Sequence, residues 1–243
     1  MQRMARGATR ALVDRAGARC FASSKMVAKD NLRIAILGAP ASGKGTISSW
    51  LVRDFGLAHF SSGDELRAHI AQGTDLGEKA KAFIADGKLV PDKLMIDLVV
   101  KKLEDFQGKN LLLDGFPRTA DQAKALDEAA EVDIVLNLTV PDEEIKQRIE
   151  HRRVHIASGR SYHLIWNPPK VDGVDDETGE PLVQRPDDTA EAVQARLDAY
   201  HAMMSPLVDY YNSKGVITTF TGTESKVIYP EIESFLKNHG YLK

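Results

Sequence analysis

The sequence predicts an α/β fold with a five-stranded parallel sheet flanked by helices. Two observations support this fold class. Short apolar runs recur along the chain, and longer segments with helical spacing separate them. Runs that are apolar on both faces predict strands covered on both sides, as in parallel sheets, and alternation of strands with helices indicates right-handed β-α-β crossovers.

The elements follow one another in a regular order. The predicted strands are residues 32–37, 57–60, 111–113, 134–138 and 216–220, of which 57–60 has the weakest pattern. Between strands, Ile145 and Ile149 are spaced as on one helical face, and so are Val193 and Leu197. We therefore expect one main domain over residues 30–243.

Residues 153–188 interrupt this order. The segment contains four prolines, three glycines and acids at 172, 175–177 and 180, and it has no helical periodicity. A loop of this length is too long for a simple connection and is typical of a functional lid. We predict a lid insertion here, with the acidic run on its solvated surface.

Charge is divided unevenly along the chain. Residues 1–29 carry seven basic residues and one acid, whereas the rest of the chain carries 25 basic and 34 acidic residues. A basic, amphipathic and acid-poor segment is typical of a mitochondrial transit peptide, and the apolar core of a secretory signal is missing. We predict a leader for the mitochondrial matrix, with a disordered basic tail as the alternative.

The composition excludes several classes of protein. The formal net charge is −3 and the body is acidic, which argues against a nucleic-acid-binding surface. No run approaches the roughly 18 apolar residues of a membrane-spanning helix. Cys20 is the only cysteine, so neither a disulfide framework nor a cysteine zinc site can form within the chain.

A phosphate-binding loop follows the first predicted strand directly. Residues 38–46 read GAPASGKGT, which is the G-x-x-x-x-G-K pattern between a strand and a helix. In such a loop, backbone N–H groups and the helix N-terminus cradle phosphates, and Lys44 reaches the β and γ oxygens. Gly45 replaces the usual hydroxyl residue and Thr46 follows it, so we expect Mg²⁺ to be held mainly through phosphates and water.

Four sequence blocks together resemble the adenylate kinase family. They are GAPASGKGT at 38–46, SSGDELR at 61–67, GKLVPD at 87–92 and LDGFPRT at 113–119, in that family's order and spacing. The similarity covers about 33–240, the insertion is of the long-lid type, and residues 215–230 are most similar to the GTP-using mitochondrial branch. Ala41 departs from the family, which usually has glycine there; a positive φ would strain an alanine.

The resemblance implies two nucleotide sites. For the NTP it implies Gly38, Ala39, Ala41, Ser42, Gly43, Lys44, Gly45, Thr46, Arg148, Tyr162, His163 and Thr223. For AMP it implies an insertion at about 60–90 and the residues Ser62, Arg67, Lys88, Val90, Gly115, Arg118, Gln122, Arg185 and Arg196. Gln122 is expected at the adenine edge, and Arg67 at the AMP phosphate. Asp114, which ends a predicted strand, is expected to orient a water of Mg²⁺.

Phosphoryl transfer requires positioning and charge neutralisation more than covalent chemistry. Arg148 and Arg152 are predicted four residues apart on one helix, where like charges are unfavourable unless an anion lies between them. Arg185 and Arg196 resemble further family positions beyond the lid. The predicted catalytic set is Lys44, Arg118, Arg148, Arg152, Arg185 and Arg196.

The lid also carries a prediction about metal. Relatives with four cysteines in this region bind structural zinc, and the matching positions here are His155, Ser158, Asp175 and Thr178. Ser and Thr are poor zinc ligands, so we expect a hydrogen-bonded polar cluster and no zinc site.

Several histidines and methionines are assigned to ordinary packing or to solvent. His59, His69 and His201 are isolated histidines, and Met203 and Met204 fit a helical core face.

The resemblance implies a monomeric kinase that transfers the γ-phosphoryl group of an Mg²⁺-bound NTP to AMP. GTP is the favoured donor, and ITP and ATP remain open. The alternatives are an ATP:AMP kinase of the mitochondrion, a catalytically weak nucleotide-binding module and a kinase for another small molecule. The set of arginines argues against the weak nucleotide-binding module. Gln122 and the long lid argue against a kinase that phosphorylates a small molecule other than AMP.

Overall fold

The computed structural model describes residues 31–85, 90–185 and 188–242, so the predicted leader at 1–29 lies outside the described residues. Its strands are β1 Arg33–Gly38, β2 Ala58–Ser61, β3 Leu111–Asp114, β4 Ile134–Thr139, β5 Arg152–Val154, β6 Ser161–His163 and β7 Ile217–Thr221. Its helices are α1 Lys44–Phe55, α2 Ser62–Ala71, α3 Asp75–Ala85, α4 Asp92–Leu103, α5 Ala120–Ala129, α6 Asp142–Glu150, α7 Ala190–Lys214 and α8 Ser225–Asn238, with a short 3-10 helix at Glu104–Phe106. None of the helices in these ranges combines the length and apolar character that a membrane crossing requires.

The main sheet has five parallel strands in the order β2-β3-β1-β4-β7. Each of the five predicted apolar runs coincides with one of these strands, which confirms the predicted fold class. Parallel strands bring their carboxyl ends to one edge, where α/β folds bind ligands. At that edge Asp114, the last residue of β3, is in register with Ser61 of β2 and Ile36 of β1.

Helices cover both faces of this sheet. Alternate residues of a strand point to opposite faces, so Ala35 and Leu37 of β1 pack into one apolar cluster and Ile34 and Ile36 into another. The first cluster includes residues of α4, α5 and α7, and the second includes residues of α1 and α8. All four β1 side chains are buried, which explains why the sequence reads as a continuous apolar run.

Two further segments are inserted between the elements of the main sheet. Helices α2 and α3 lie between β2 and α4 and pack against each other. Between α6 and α7, β5 and β6 form a small antiparallel sheet. The chain then returns to it, because Val154 and Val183 exchange backbone hydrogen bonds of 2.8 and 3.0 Å.

The structure corrects the position of Arg152. Helix α6 ends at Glu150, and His151 follows with φ −95° and ψ 3°. Arg152 is the first residue of β5 and pairs with His163, so it does not share a helix with Arg148. The predicted helical pair is wrong because the chain leaves the helix for the lid sheet before the second arginine.

Candidate active site

The loop between β1 and α1 closes over the N-terminus of α1. Gly43 precedes this helix with φ 93°, and a Cβ there would collide with the Oγ of Ser225 at the start of α8. Glycine therefore meets a backbone requirement at this position, and a larger residue would also have to displace the Ser225 hydroxyl. The first turn of α1 carries no acid, so the positive end of the helix is available to an anion.

Ala41 lies in the left-handed region, with φ 57°. Its Cβ makes this conformation unfavourable by roughly 1–2 kcal/mol. The sequence analysis noted that a positive φ would strain an alanine at this position. The φ is positive, so the loop is strained at Ala41. The Ala41 carbonyl accepts a 3.1 Å hydrogen bond from Nη1 of Arg148, which ties the strained loop to α6.

Lys44 begins α1, and its side chain turns back to the end of β1. Its Nζ donates hydrogen bonds of 2.7 Å to the carbonyl oxygens of both Gly38 and Ala39. Burial lowers the pKa of Lys44 from 10.5 to about 8. The ammonium group is thus held by carbonyl dipoles, which phosphate oxygens could replace as acceptors.

Four other charged side chains shift the pKa of Lys44 through electrostatic interaction. Beyond burial, Asp114 raises the pKa of Lys44. Repulsion by Arg118, Arg196 and Arg152 lowers it. The structure therefore gathers four of the six predicted catalytic cations into one cluster. Repulsion among cations is relieved when an anion binds between them, so this cluster favours phosphates.

Arg118 lies at the carboxyl edge just beyond β3. Its Nε donates a 2.7 Å hydrogen bond to the Gly115 carbonyl, which also accepts a 2.8 Å hydrogen bond from Ser62 Oγ. Desolvation by the surrounding protein, together with repulsion by Arg196 and Arg67, lowers the pKa of Arg118 to about 10.

Arg67 of α2 points toward the same region. A Cβ placed on Gly63 would lie 3.3 Å from Nη1 of Arg67 and 3.8 Å from Nη2 of Arg118, so the two guanidinium groups approach each other above Gly63. Arg67 also forms an ion pair with Asp64 on its own helix. The acceptor side of the site therefore presents two arginines drawn from different elements.

Asp114 carries its charge at the same edge. Burial alone would raise the pKa of Asp114, but His59, Lys44 and a 3.1 Å hydrogen bond from Ser48 Oγ outweigh burial, and the pKa lies below its usual value. The Nε2 of His59 is 3.8 Å from Asp114 Oδ2. His59, which the sequence assigns to packing, is thus a neighbour of the acid that raises the pKa of Lys44.

One cavity is lined both by the phosphate loop and by most of the predicted AMP residues. Among the predicted AMP residues, its wall contains Ser62, Arg67, Val90, Gly115, Arg118, Gln122 and Arg196. Gly38 and Lys44 of the phosphate loop line the same cavity. Lys88 lies outside the described residues. Arg185 does not line this cavity. Its backbone carbonyl accepts a 3.0 Å hydrogen bond from the backbone N–H of Asp188.

Helix α7 supplies a wall that sequence reasoning missed. Tyr200, Met203 and Met204 line the cavity beside Arg196. Their helical spacing is equally typical of a core face, and Met204 does also pack against the core. Only the position of α7 over the carboxyl edge distinguishes the two roles.

Arg148 joins three parts of the predicted donor site. Its guanidinium donates to the carbonyls of Ala41 and Thr223, and it lies 5.6 Å from the ring centre of Trp166 in the lid. The residue is buried, and that burial lowers its pKa. The phosphate loop, the segment before α8 and the lid therefore meet at one side chain.

His163 and Tyr162 occupy different surroundings. His163 stacks on Trp166 with ring centres 4.2 Å apart, and burial together with His151 and Arg148 lowers its pKa. Its ring therefore lies close to the predicted donor residue Arg148. The hydroxyl of Tyr162 instead donates a 2.9 Å hydrogen bond to Asp175 inside the lid.

Asp188 anchors the arginines at the base of the lid. Its fully shielded carboxylate accepts hydrogen bonds from Nε of Arg152, at 2.9 Å, and from Nη2 of the same residue. Nη1 of Arg196 is 3.9 Å from the same carboxylate. No local spacing signals this role, because Asp188 is 36 residues from Arg152.

The four lid positions matched to zinc ligands lie in one polar cluster. His155 Nδ1 is 2.7 Å from Ser158 Oγ, and Thr178 Oγ1 donates a 3.0 Å hydrogen bond to Asp175. Arg160 donates two further hydrogen bonds to Asp175, at 2.8 and 2.6 Å. The polar cluster is therefore present, while the absence of zinc stays a prediction.

The fold and the site define a phosphotransferase with a phosphate-binding loop. A parallel sheet positions that loop and an ionised aspartate at its carboxyl edge, beside a cavity lined by Lys44, Arg67, Arg118 and Arg196. This arrangement matches the needs of phosphoryl transfer, which are positioning and neutralisation of charge.

Comparison with known proteins identifies the family. The sequence pattern of the adenylate kinase family, described as "Adenylate kinase", matches residues 36–216. The chain is 44% identical over 206 residues to "GTP:AMP phosphotransferase, mitochondrial" of Drosophila melanogaster, and the match covers 85% of this chain and 95% of that protein. The chain belongs to the adenylate kinase family.

Proposed function

We propose that this enzyme transfers the γ-phosphoryl group of an NTP, with GTP favoured, to AMP, giving NDP and ADP. The observation that carries the proposal is that one cavity is lined both by Lys44 and Gly38 of the phosphate loop and by Gln122 and Arg67 of the predicted acceptor site. One nucleotide phosphate chain at the loop and one at the arginines would then meet at the Lys44–Arg118 region.

The donor phosphates bind the loop. Backbone N–H groups of residues 39–46 and the N-terminus of α1 receive the β- and γ-phosphates, and Lys44 exchanges its carbonyl partners for phosphate oxygens. Arg148 and Thr223 border the base, and His163 follows from the lid. The predicted role of Tyr162 is weaker, because its hydroxyl is engaged with Asp175.

The acceptor AMP binds the other half of the cavity. Arg67 and Arg118 hold its phosphate, and Gln122, Ser62, Val90 and Gly115 surround the rest. An oxygen of the AMP phosphate attacks the γ-phosphorus, and the bond to the oxygen bridging β and γ breaks. The NDP leaves with the electron pair of that bond.

The arginines stabilise the charge that spreads over the transferring group. Arg118, Arg152 and Arg196 interact with Lys44 across the cluster, and Arg148 lies at the loop itself. Arg185 is proposed to join them from the end of the lid. Positively charged groups that contact the phosphoryl group contribute roughly 10³–10⁵-fold in related transfers.

Mg²⁺ is the proposed cofactor, and the residues fit it. Asp114 keeps its charge, and its carboxylate is at the carboxyl edge next to Lys44. Mg²⁺ is usually held by one or two carboxylates, waters and substrate phosphates, so a single aspartate matches this pattern. Asp114 would hold the ion through water, and the ion supplies charge neutralisation between the phosphates.

Residues 60–90 and 153–188 are proposed as the parts that close over AMP and the NTP. Closure excludes water, which would otherwise accept the phosphoryl group. Helices α2 and α3, which supply Arg67, lie in the first segment, and the lid sheet with His163 lies in the second.

We propose GTP rather than ATP as the donor on the ground that the Drosophila relative is named for GTP and AMP. An ATP:AMP kinase is the second candidate, and it rests on the same site. A weak nucleotide-binding module is less well supported, because four catalytic cations act on one another in this site.

Location in the mitochondrion is proposed from the name of that relative and from the basic leader, and the matrix is the proposed compartment. A reporter fused to residues 1–29 should be imported, and a cytosolic reporter would contradict this. A monomer is proposed as the working form, and light scattering at micromolar concentration would measure it.

A coupled assay tests the proposed activity. We expect NDP and ADP from GTP with AMP, lower turnover with ATP, and none in the absence of Mg²⁺. Equal or better turnover with ATP would favour the second candidate, and no product with GTP, ITP or ATP would refute the proposed function.

A further inference from the structure

Gln122 is held by two hydrogen bonds of opposite kind. Its Oε1 accepts a 2.8 Å hydrogen bond from the backbone N–H of Arg118, and its Nε2 donates a 2.7 Å hydrogen bond to Oδ1 of Asp92. The residue is 2% exposed, and it lines the cavity beside Arg118. A carboxylate only accepts and an amide N–H only donates, so the two partners fix which end of the Gln122 side chain is oxygen.

Asp92 is itself held in place. Its Oδ2 accepts a 2.7 Å hydrogen bond from the hydroxyl of Thr119, which also caps α5 by accepting from the backbone N–H of Gln122. Asp92 is the first residue of α4, where a helix favours a carboxylate. The carboxylate therefore links the start of α4 to the start of α5 and approaches Gln122 from outside the cavity wall.

The remaining hydrogen-bonding capacity of Gln122 defines a readable pattern. A primary amide has two N–H donors and two acceptor positions on oxygen. The contacts with Asp92 and Arg118 use one of each, so one donor and one acceptor remain for a ligand. A 6-aminopurine offers an acceptor at N1 beside a donor at its amino group, and a 6-oxopurine offers the reverse order.

We propose that Asp92 is a specificity-determining positioning residue, which holds the Gln122 amide in the orientation that reads a 6-aminopurine and rejects a 6-oxopurine. This inference rests on the proposed function, since it concerns the choice of acceptor nucleotide. Two hydrogen bonds oppose rotation of the Gln122 amide by 180°. Without Asp92, only the one from the Arg118 N–H remains. Buried donors and acceptors left without partners are what make such a site selective.

The test compares AMP with IMP as ligand in the full-length chain. Asp92→Asn preserves size and keeps an oxygen but is no longer limited to accepting. We expect the ratio of kcat/KM for AMP over IMP to fall by roughly ten- to hundredfold, which corresponds to one hydrogen bond to a charged group. The KM for AMP should rise, while the KM for the NTP stays within twofold of the original.

Asp121→Asn is the matched control. Asp121 is also an aspartate in the first turn of a helix, α5, and its side chain is 79% exposed in an ion pair with Lys124. Removing its charge should leave the AMP to IMP ratio unchanged. The wild-type ratio under the same conditions is the reference for both variants.

Binding measured by calorimetry separates the possible failures. If the wild type makes no product from AMP, the proposed function fails, and the ratio of AMP to IMP affinity still tests Asp92. If the wild type favours AMP and Asp92→Asn keeps that ratio, Asp92 only stabilises the fold and the inference is overturned. Equal wild-type affinity for AMP and IMP, or equal loss of the ratio in both variants, also overturns it.

Discussion

The hydroxyl of Ser62 donates a 2.8 Å hydrogen bond to the carbonyl of Gly115, and so joins the start of α2 to the end of β3. A Cβ on Gly115, which has φ 76°, would lie 3.0 Å from Ser62 Oγ and 3.1 Å from Nη2 of Arg118. The geometry of this junction therefore depends on glycine.

Gly115→Ala should raise the KM for AMP at least tenfold, because the methyl group displaces both side chains, and should destabilise the protein. Gly108→Ala is the control, since Gly108 has the same φ of 76° and open space around its Cβ position. Both variants should lose about 1–2 kcal/mol from backbone strain. An unchanged KM for AMP in Gly115→Ala would contradict the proposed acceptor site.

Asp188→Asn should lower thermal stability. The fully shielded carboxylate is paired with Arg152, so its neutralisation leaves a nearly buried guanidinium without a matched charge. We expect a loss of about 2 kcal/mol, and hence a fall of roughly 4–8 °C in the melting temperature. Asp172→Asn, an exposed lid acid, should change it by less than about 1 °C. Equal effects of the two changes would argue against the anchor.

Ala41→Gly should be neutral or stabilising, in contrast to most replacements of alanine by glycine. The φ of 57° is favourable for glycine, so relief of strain offsets the greater flexibility of the unfolded chain. Ala68→Gly, on the exposed face of α2, should instead cost about 1 kcal/mol. Denaturant unfolding of both variants measures the difference, and a loss at residue 41 equal to that at residue 68 would contradict it.

NTP binding should take up a proton at alkaline pH. The pKa of Lys44 is lowered to about 8 in the unliganded protein, and phosphates beside the ammonium raise it again. At pH 7 the lysine is already charged and little uptake follows, whereas at pH 9 about nine in ten side chains are neutral before binding. Calorimetry in buffers of different ionisation enthalpy measures the uptake. Lys44→Arg should lack this contribution, and equal uptake in both proteins would contradict the assignment.

Metal analysis tests the lid prediction. The purified protein should contain less than about 0.1 zinc per chain, because the cluster around His155 and Asp175 is completed by hydroxyl groups of Ser158 and Thr178. Stoichiometric zinc that survives dialysis would refute this. Ser158→Cys with Thr178→Cys should raise zinc content if the cluster geometry matches that of a metal site.

The sequence was informative wherever a role depends on local pattern. The strands were predictable because both faces are buried, as for β1, and the phosphate loop because its glycines and Lys44 are close in the chain. Roles that depend on distant partners left no such signal. His59 meets Asp114 through strand pairing, and Asp92 meets Gln122 across 30 residues. The end of α6 before Arg152 lacks a glycine or proline to mark it.

An ion pair joins the two ends of the lid segment. The chain enters it at Arg152 and leaves it at Asp188, and these two residues are bonded to each other. This ion pair holds the two ends of the segment close together independently of the fold of its tip. We therefore expect replacement or shortening of the tip to leave α6 and α7 undisturbed. We expect the proposed closure to move the segment as one body about this ion pair, with Arg152 and Arg196 kept near the phosphate loop.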